Sequence, residues 1–243
     1  MNNQKAIKTL YRIGVLSSII FPATLIVSFI IHHMGEYSMA DMIKLKLIYI
    51  PPSPERFMEL FSSNSNLDFI IPHLIIYLAI PFGISAVIYF GYLLFEKKPW
   101  LSIIGTSLSI TGIVFMGGVF GSWLSFTAIG NINAELVPGV IDVIEELTKK
   151  QGMLLLSSLL AGLSLLGFMI IAAGLFYTKV IPRWQSAFIF AGNAIIIFFM
   201  DIDNLMLVGS ILWFTGALPF LKIPNTIRYQ RTTGKSGTVL AQE

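Results

Sequence analysis

The chain has three histidines, His32, His33 and His73, and each lies near a carboxylate in sequence. Glu36 follows the first pair, and Asp68 precedes His73. A further acidic segment, Asp201-Ile202-Asp203-Asn204, separates the last two apolar stretches. Imidazole nitrogens combined with carboxylate oxygens can bind zinc or another divalent ion and leave one position open for water. On this reading His32 and His73 are the nitrogen ligands, and Asp201 or Asp203 supplies oxygen. Two facing imidazoles could instead hold a haem. Against both readings, no His-Glu-x-x-His motif sets two ligands on one helix. A solvated acidic rim also accounts for the same residues.

Other covalent chemistry finds little support. Cysteine is absent, so no thiolate can serve as nucleophile or metal ligand. A serine nucleophile needs a base within reach, and the histidines sit at the ends of apolar stretches. The polar residues within those stretches are Tyr77, Tyr89, Ser107, Ser109, Thr111 and Asn193. No Lys, Arg, Asp or Glu falls mid-span, which argues against a proton-coupled pump or an ion channel. Asn193 is expected to bond a neighbouring helix, a contact worth roughly 1 kcal/mol in a membrane.

The elements that must position these groups are apolar helices. Hydrophobic residues make up 55% of the chain and charged residues 12%, against about 25% charged in a soluble domain. Six apolar stretches, at about 13–31, 69–95, 100–126, 153–177, 186–200 and 205–221, predict an all-α polytopic membrane protein with six transmembrane helices. The first stretch, Ile13 to Ile31, has 19 residues. That exceeds the roughly 7–15 of a signal-peptide core, so it reads as a retained span. Pro22, Pro72 and Pro81 fall inside spans and should kink them.

Between the spans, Ser53-Pro54-Glu55 carries a helix-start signature. It predicts a short amphipathic helix over 54–63, with Phe57, Leu60 and Phe61 on one face. Val137, Val140, Ile141, Ile144 and Leu147 predict a second amphipathic helix, with Asp142, Glu145, Glu146, Lys149 and Lys150 on its other faces. Both fall on the side predicted to be outside. Residues 222–243 carry no hydrophobic pattern and read as a mobile cytoplasmic tail.

Charge sets the orientation. With both termini in the cytoplasm, eleven of the 16 basic residues face inward and eleven of the 13 acidic residues face outward. The inward acids are Glu96 and Glu243. Lys and Arg resist translocation, so the partition places the chain in a plasma membrane with the N- and C-termini cytoplasmic. The net charge of +3 is an average over two opposite faces. No basic run tracks a phosphate backbone, so nucleic acid is not an expected partner. The expected partners are the lipid bilayer and either a membrane-protein partner or a second copy of the chain.

Gly117, Gly121 and Ser125 recur every four residues along the third span and line one of its faces. This small-residue row lets another helix come close, and it is the expected packing face together with Asn193.

Three segments resemble an uncharacterised family of six-helix bacterial membrane proteins, domain of unknown function 4386. They are Tyr11-Arg12-Ile13-Gly14-Val15-Leu16, the run from Leu67-Asp68 to Tyr92-Leu93-Leu94-Phe95, and Gly174-Leu175-Phe176-Tyr177 leading to Ile181-Pro182-Arg183-Trp184. The resemblance implies a six-helix bundle of bacterial plasma-membrane type and carries no activity with it. The leading expectation is therefore a non-enzymatic membrane protein acting through helix packing, lipid contact or a partner. The alternatives are an enzyme or metal-binding protein with its site at the outer rim, and a carrier of a neutral or lipid-like solute.

Overall fold

A computed structural model describes residues 3–31, 67–125, 139, 152–199 and 203–222. Its long elements are α1 (Asn3–Ile31), α2 (Leu67–Phe95), α3 (Pro99–Ser125), α4 (Gly152–Thr178), α5 (Arg183–Phe198) and α6 (Asp203–Ala217). A 3-10 segment, Leu218–Lys222, continues α6. Four of the helices are long and apolar enough to cross a membrane, over Thr9–Ile31, Ile70–Phe95, Pro99–Ser122 and Leu159–Thr178.

The last two helices are shorter. With 16 residues, α5 rises only about 24 Å. The 15 residues of α6 rise about 22 Å, and the 3-10 segment adds roughly 10 Å. Lys222, expected to open the tail, ends that segment instead.

α1 begins ten residues before the apolar run predicts. Apolarity marks where a helix can sit in lipid, whereas hydrogen bonding decides where it stops, and nothing around Lys5, Lys8 and Arg12 breaks it. The expected amphipathic helices at 54–63 and 137–147 lie outside the described residues, as does the tail beyond Lys222.

The turns follow local chemistry. Leu94 O accepts the backbone N–H of Lys97 at 3.0 Å and of Lys98 at 2.9 Å, closing α2. Pro99 then opens α3, where a missing N–H costs nothing. At the end of α4, Lys179 adopts φ 53°, the left-handed conformation that stops a helix. Thr178 Oγ1 donates to Gly174 O at 2.7 Å. The Arg183 guanidinium packs 5.4 Å from the centre of the Phe176 ring, tying α5 back onto α4.

Each helix packs against the next in sequence, and α6 returns to α1, so the six helices close a ring. α2 also touches α4 across it. Among the described residues, three serine hydroxyls bond a carbonyl on an adjacent helix. Ser28 Oγ donates to Pro72 O at 3.0 Å, Ser102 Oγ to Gly91 O at 2.7 Å and Ser109 Oγ to Ser164 O at 3.1 Å. Such bonds contribute only about 0.6 kcal/mol each inside a membrane. Ser109→Ala should therefore lower the thermal midpoint of the purified protein only slightly. A collapse would show that the hydroxyl does more than join α3 to α4.

Several close helix approaches among the described residues set a glycine against backbone. A Cβ added to Gly112 of α3 would run into the backbone of Ser164 and Leu163 on α4, and one added to Gly167 would strike Gly105 O and Ser109 of α3. α5 and α6 approach reciprocally: a Cβ on Gly192 would lie 2.5 Å from Gly209 O, and one on Gly209 would lie 2.7 Å from Gly192 O. These small residues set how closely the helices pack.

Candidate functional site

The centre of the ring is filled by aromatic side chains. Trp213 of α6 is fully buried. Its ring lies 4.6 Å from Phe168 of α4 and 5.4 Å from Phe21 of α1, centre to centre. Phe90 of α2 lies 6.4 Å from Phe168 and 5.6 Å from Phe220 of the 3-10 segment. Tyr89 adds contacts to Phe220 at 5.6 Å and to Tyr11 at 5.4 Å, and its hydroxyl lies 3.4 Å from that of Tyr11. Most of these pairs are edge-on or tilted, the arrangements favoured by the ring quadrupole. Helices α1, α2, α4 and α6 are thus joined through rings.

Polar atoms are also buried, on α5 and α6. The hydroxyl of Ser186, Oε1 of Gln185, Oδ1 of Asn193 and Nε1 of Trp213 are buried and make no hydrogen bond among the described residues. Asn193 was expected to reach a neighbouring helix. Its Nδ2 instead donates to Ile189 O of its own helix at 2.8 Å. The i−4 carbonyl is the nearest acceptor for a short side chain, and Gly192 brings α6 so close that a longer bridge is not needed.

The candidate ligand His73 is half-buried on α2, with its ring 5.5 Å from that of Phe120 on α3. His32 and Asp201 lie outside the described residues, and Asp203 is the first residue of α6, its side chain not described. Among the described residues no three His, Asp or Glu side chains gather as metal ligands. α1 packs on both α2 and α6, so the end of α1, the start of α2 and the start of α6 share one end of the bundle.

The small-residue row faces α2. A Cβ on Gly117 would meet Ile80 Cδ1 at 2.7 Å, and one on Gly121 would meet only Tyr77 Cε2, at 3.5 Å. The side chain of Ser125 is not described. This face is met by side chains, whereas the backbone approaches lie closer to the α2–α3 turn, at Gly105 and Gly112. Sequence reasoning passed over Gly105 and Gly112, and took Ser109 only as a polar residue within the span. The available signal was their spacing of four and three, a second small-residue face in the same span.

On the exposed face of the bundle, between α2 and α3, lies a groove of about 320 Å³. It is lined by Ile88, Tyr92, Phe95, Ile103 and Ser107, with Gly91, Ser102 and Thr106 also at its wall. Gly91 and Thr106 touch, because glycine leaves room for the Thr106 hydroxyl against α2. The Glu96–Lys98 turn closes one end of the hairpin that bears the groove.

No family model matches this chain, and neither a curated protein nor a solved structure matches it.

Proposed function

We propose that this chain is a multi-pass plasma-membrane protein with six spans and cytoplasmic termini, of the six-helix kind its motifs resemble. It acts without covalent chemistry, through helix packing, lipid contact or a membrane partner. The inside-out distribution of its side chains carries this reading. Large apolar residues lie exposed around the helices, among them Leu78, Ile88, Val114, Leu159 and Phe198. In water such a surface would far exceed the few hundred Å² of apolar patch usual for a soluble monomer. In lipid it carries no penalty. The interior, meanwhile, is packed ring against ring by Phe21, Phe90, Phe168 and Trp213, which supports a packing role over passage of a solute.

α5 is the short span of the proposed six. A stretch shorter than the hydrocarbon can be accommodated by local thinning of the bilayer at modest cost. α6 with its 3-10 extension rises about 32 Å, close to the ~30 Å of the core.

Reporters test the topology. A reporter fused after Glu243 should be active only in the cytoplasm, and one inserted near Ser63 only outside. The reverse pattern would overturn the orientation, and recovery of the chain in the soluble fraction would overturn the membrane reading.

A further inference from the structure

We propose that the groove between α2 and α3 is a binding site for an anionic phospholipid, with an acyl chain along Ile88, Tyr92, Phe95 and Ile103 and the phosphate held by Lys97 and Lys98. The proposal rests on the membrane reading above and names the lipid it selects. The groove faces outward on the hairpin between two long apolar helices. From Phe95 to Ile88 its wall runs about 10 Å along α2, most of one ~15 Å leaflet of hydrocarbon. Any acyl chain could line such a wall, so selectivity must come from charge at its end.

The turn at that end is Glu96-Lys97-Lys98. Both lysines are exposed, and their flexible stems let the ammonium groups reach a headgroup while the hinge stays at the hydrocarbon boundary. Glu96 is the acid on the turn, so the three side chains sum to one positive charge and a zwitterionic headgroup gains little there. Trp100, 75% exposed on the first turn of α3, is the kind of residue that sits at headgroup depth. Lys179 and Arg183 lie at the same end of the bundle, on the α4–α5 turn, and add to the positive potential there.

The test uses the full chain in detergent, following its thermal midpoint as lipid is added. Phosphatidylglycerol should raise the midpoint, while phosphatidylcholine and inorganic phosphate should not. The Lys97→Gln, Lys98→Gln double variant should lose about thirtyfold in apparent affinity for phosphatidylglycerol. Ser107→Trp, which places an indole in the groove from an exposed position, should abolish the shift with both lysines intact. An undiminished phosphatidylglycerol effect in the double variant would overturn the proposal. Equal effects of the two lipids would overturn it as well, while leaving the membrane reading standing. A protein that stays monodisperse without detergent would overturn the membrane reading itself.

Discussion

Gly112→Leu is expected to abolish recovery of the folded bundle. A Cβ at this position would already overlap the backbone of Ser164 on α4, and backbone cannot rotate away as a side-chain tip can. The two helices would have to separate along an interface that also holds Gly105, Gly167 and the Ser109–Ser164 hydrogen bond. Overpacking a tight core costs about 1–3 kcal/mol even where side chains can yield, and here the obstacle is main chain. Gly112→Ala should therefore lower the thermal midpoint sharply, and Gly112→Leu should leave little monodisperse protein. Gly118→Leu is the control, since nothing lies within 4 Å of a Cβ at that position. Gly117→Leu should fall between the two, because it displaces the flexible end of Ile80. Equal tolerance at all three positions would show that α3 and α4 do not pack through Gly112.

Trp213→Ala should produce the largest loss among side-chain truncations. Trp213 is the ring shared by Phe168 and Phe21, and it is shielded completely. Removing it leaves a cavity bounded by α1 and α4, at a cost of about 3–5 kcal/mol. Trp213→Phe should restore most of that loss. Its smaller ring still fills part of the space, and it removes an indole N–H that has no partner among the described residues. Leaving such a donor buried costs about 1–3 kcal/mol, so the conservative variant recovers energy on that side. Thermal midpoints of the three proteins in one detergent decide the matter. An alanine variant as stable as the parent would show that the aromatic centre does not hold the ring of helices together.

How much of this was legible in the sequence depends on the range of the interaction concerned. The α2–α3 turn was readable because Lys97-Lys98 mark a polar gap between apolar runs and Pro99 follows at once, where proline is favoured as the first residue of a helix. The helix limits were readable to within a few residues for α2, α3 and α4. At α1 the apolar run and the helix part company, since a helix continues past lysines that lipid would exclude.

The packing faces were far less legible. Gly117 and Gly121 display the familiar four-residue spacing, yet they meet only the side chains of Ile80 and Tyr77. Gly105 and Gly112, with a looser pattern, meet backbone. Spacing along one helix shows which residues share a face, but not which face a neighbour selects or how closely it comes. That choice depends on matching small residues on another helix, here Ser164 and Gly167, more than fifty positions away. The same holds for the proposed metal ligands. Helix order and charge could only suggest one depth for His32, His73 and the Asp201–Asp203 segment, and His32 and Asp201 lie outside the described residues.

By itself, the sequence determined that the chain is helical and apolar on a membrane scale, and where its polar turns fall. Those properties come from backbone hydrogen bonding and from transfer of each segment out of water, which are local. The tertiary structure alone decided that the helices close into a ring, and that Trp213, Phe21, Phe90 and Phe168 fill its centre. It also decided that α2 and α3 leave a groove above Gly91 and Thr106 on their outer side. The reason is that the long helices are apolar nearly all round, so hydrophobicity does not tell a face that meets protein from one left exposed. Shape complementarity between distant residues makes that distinction.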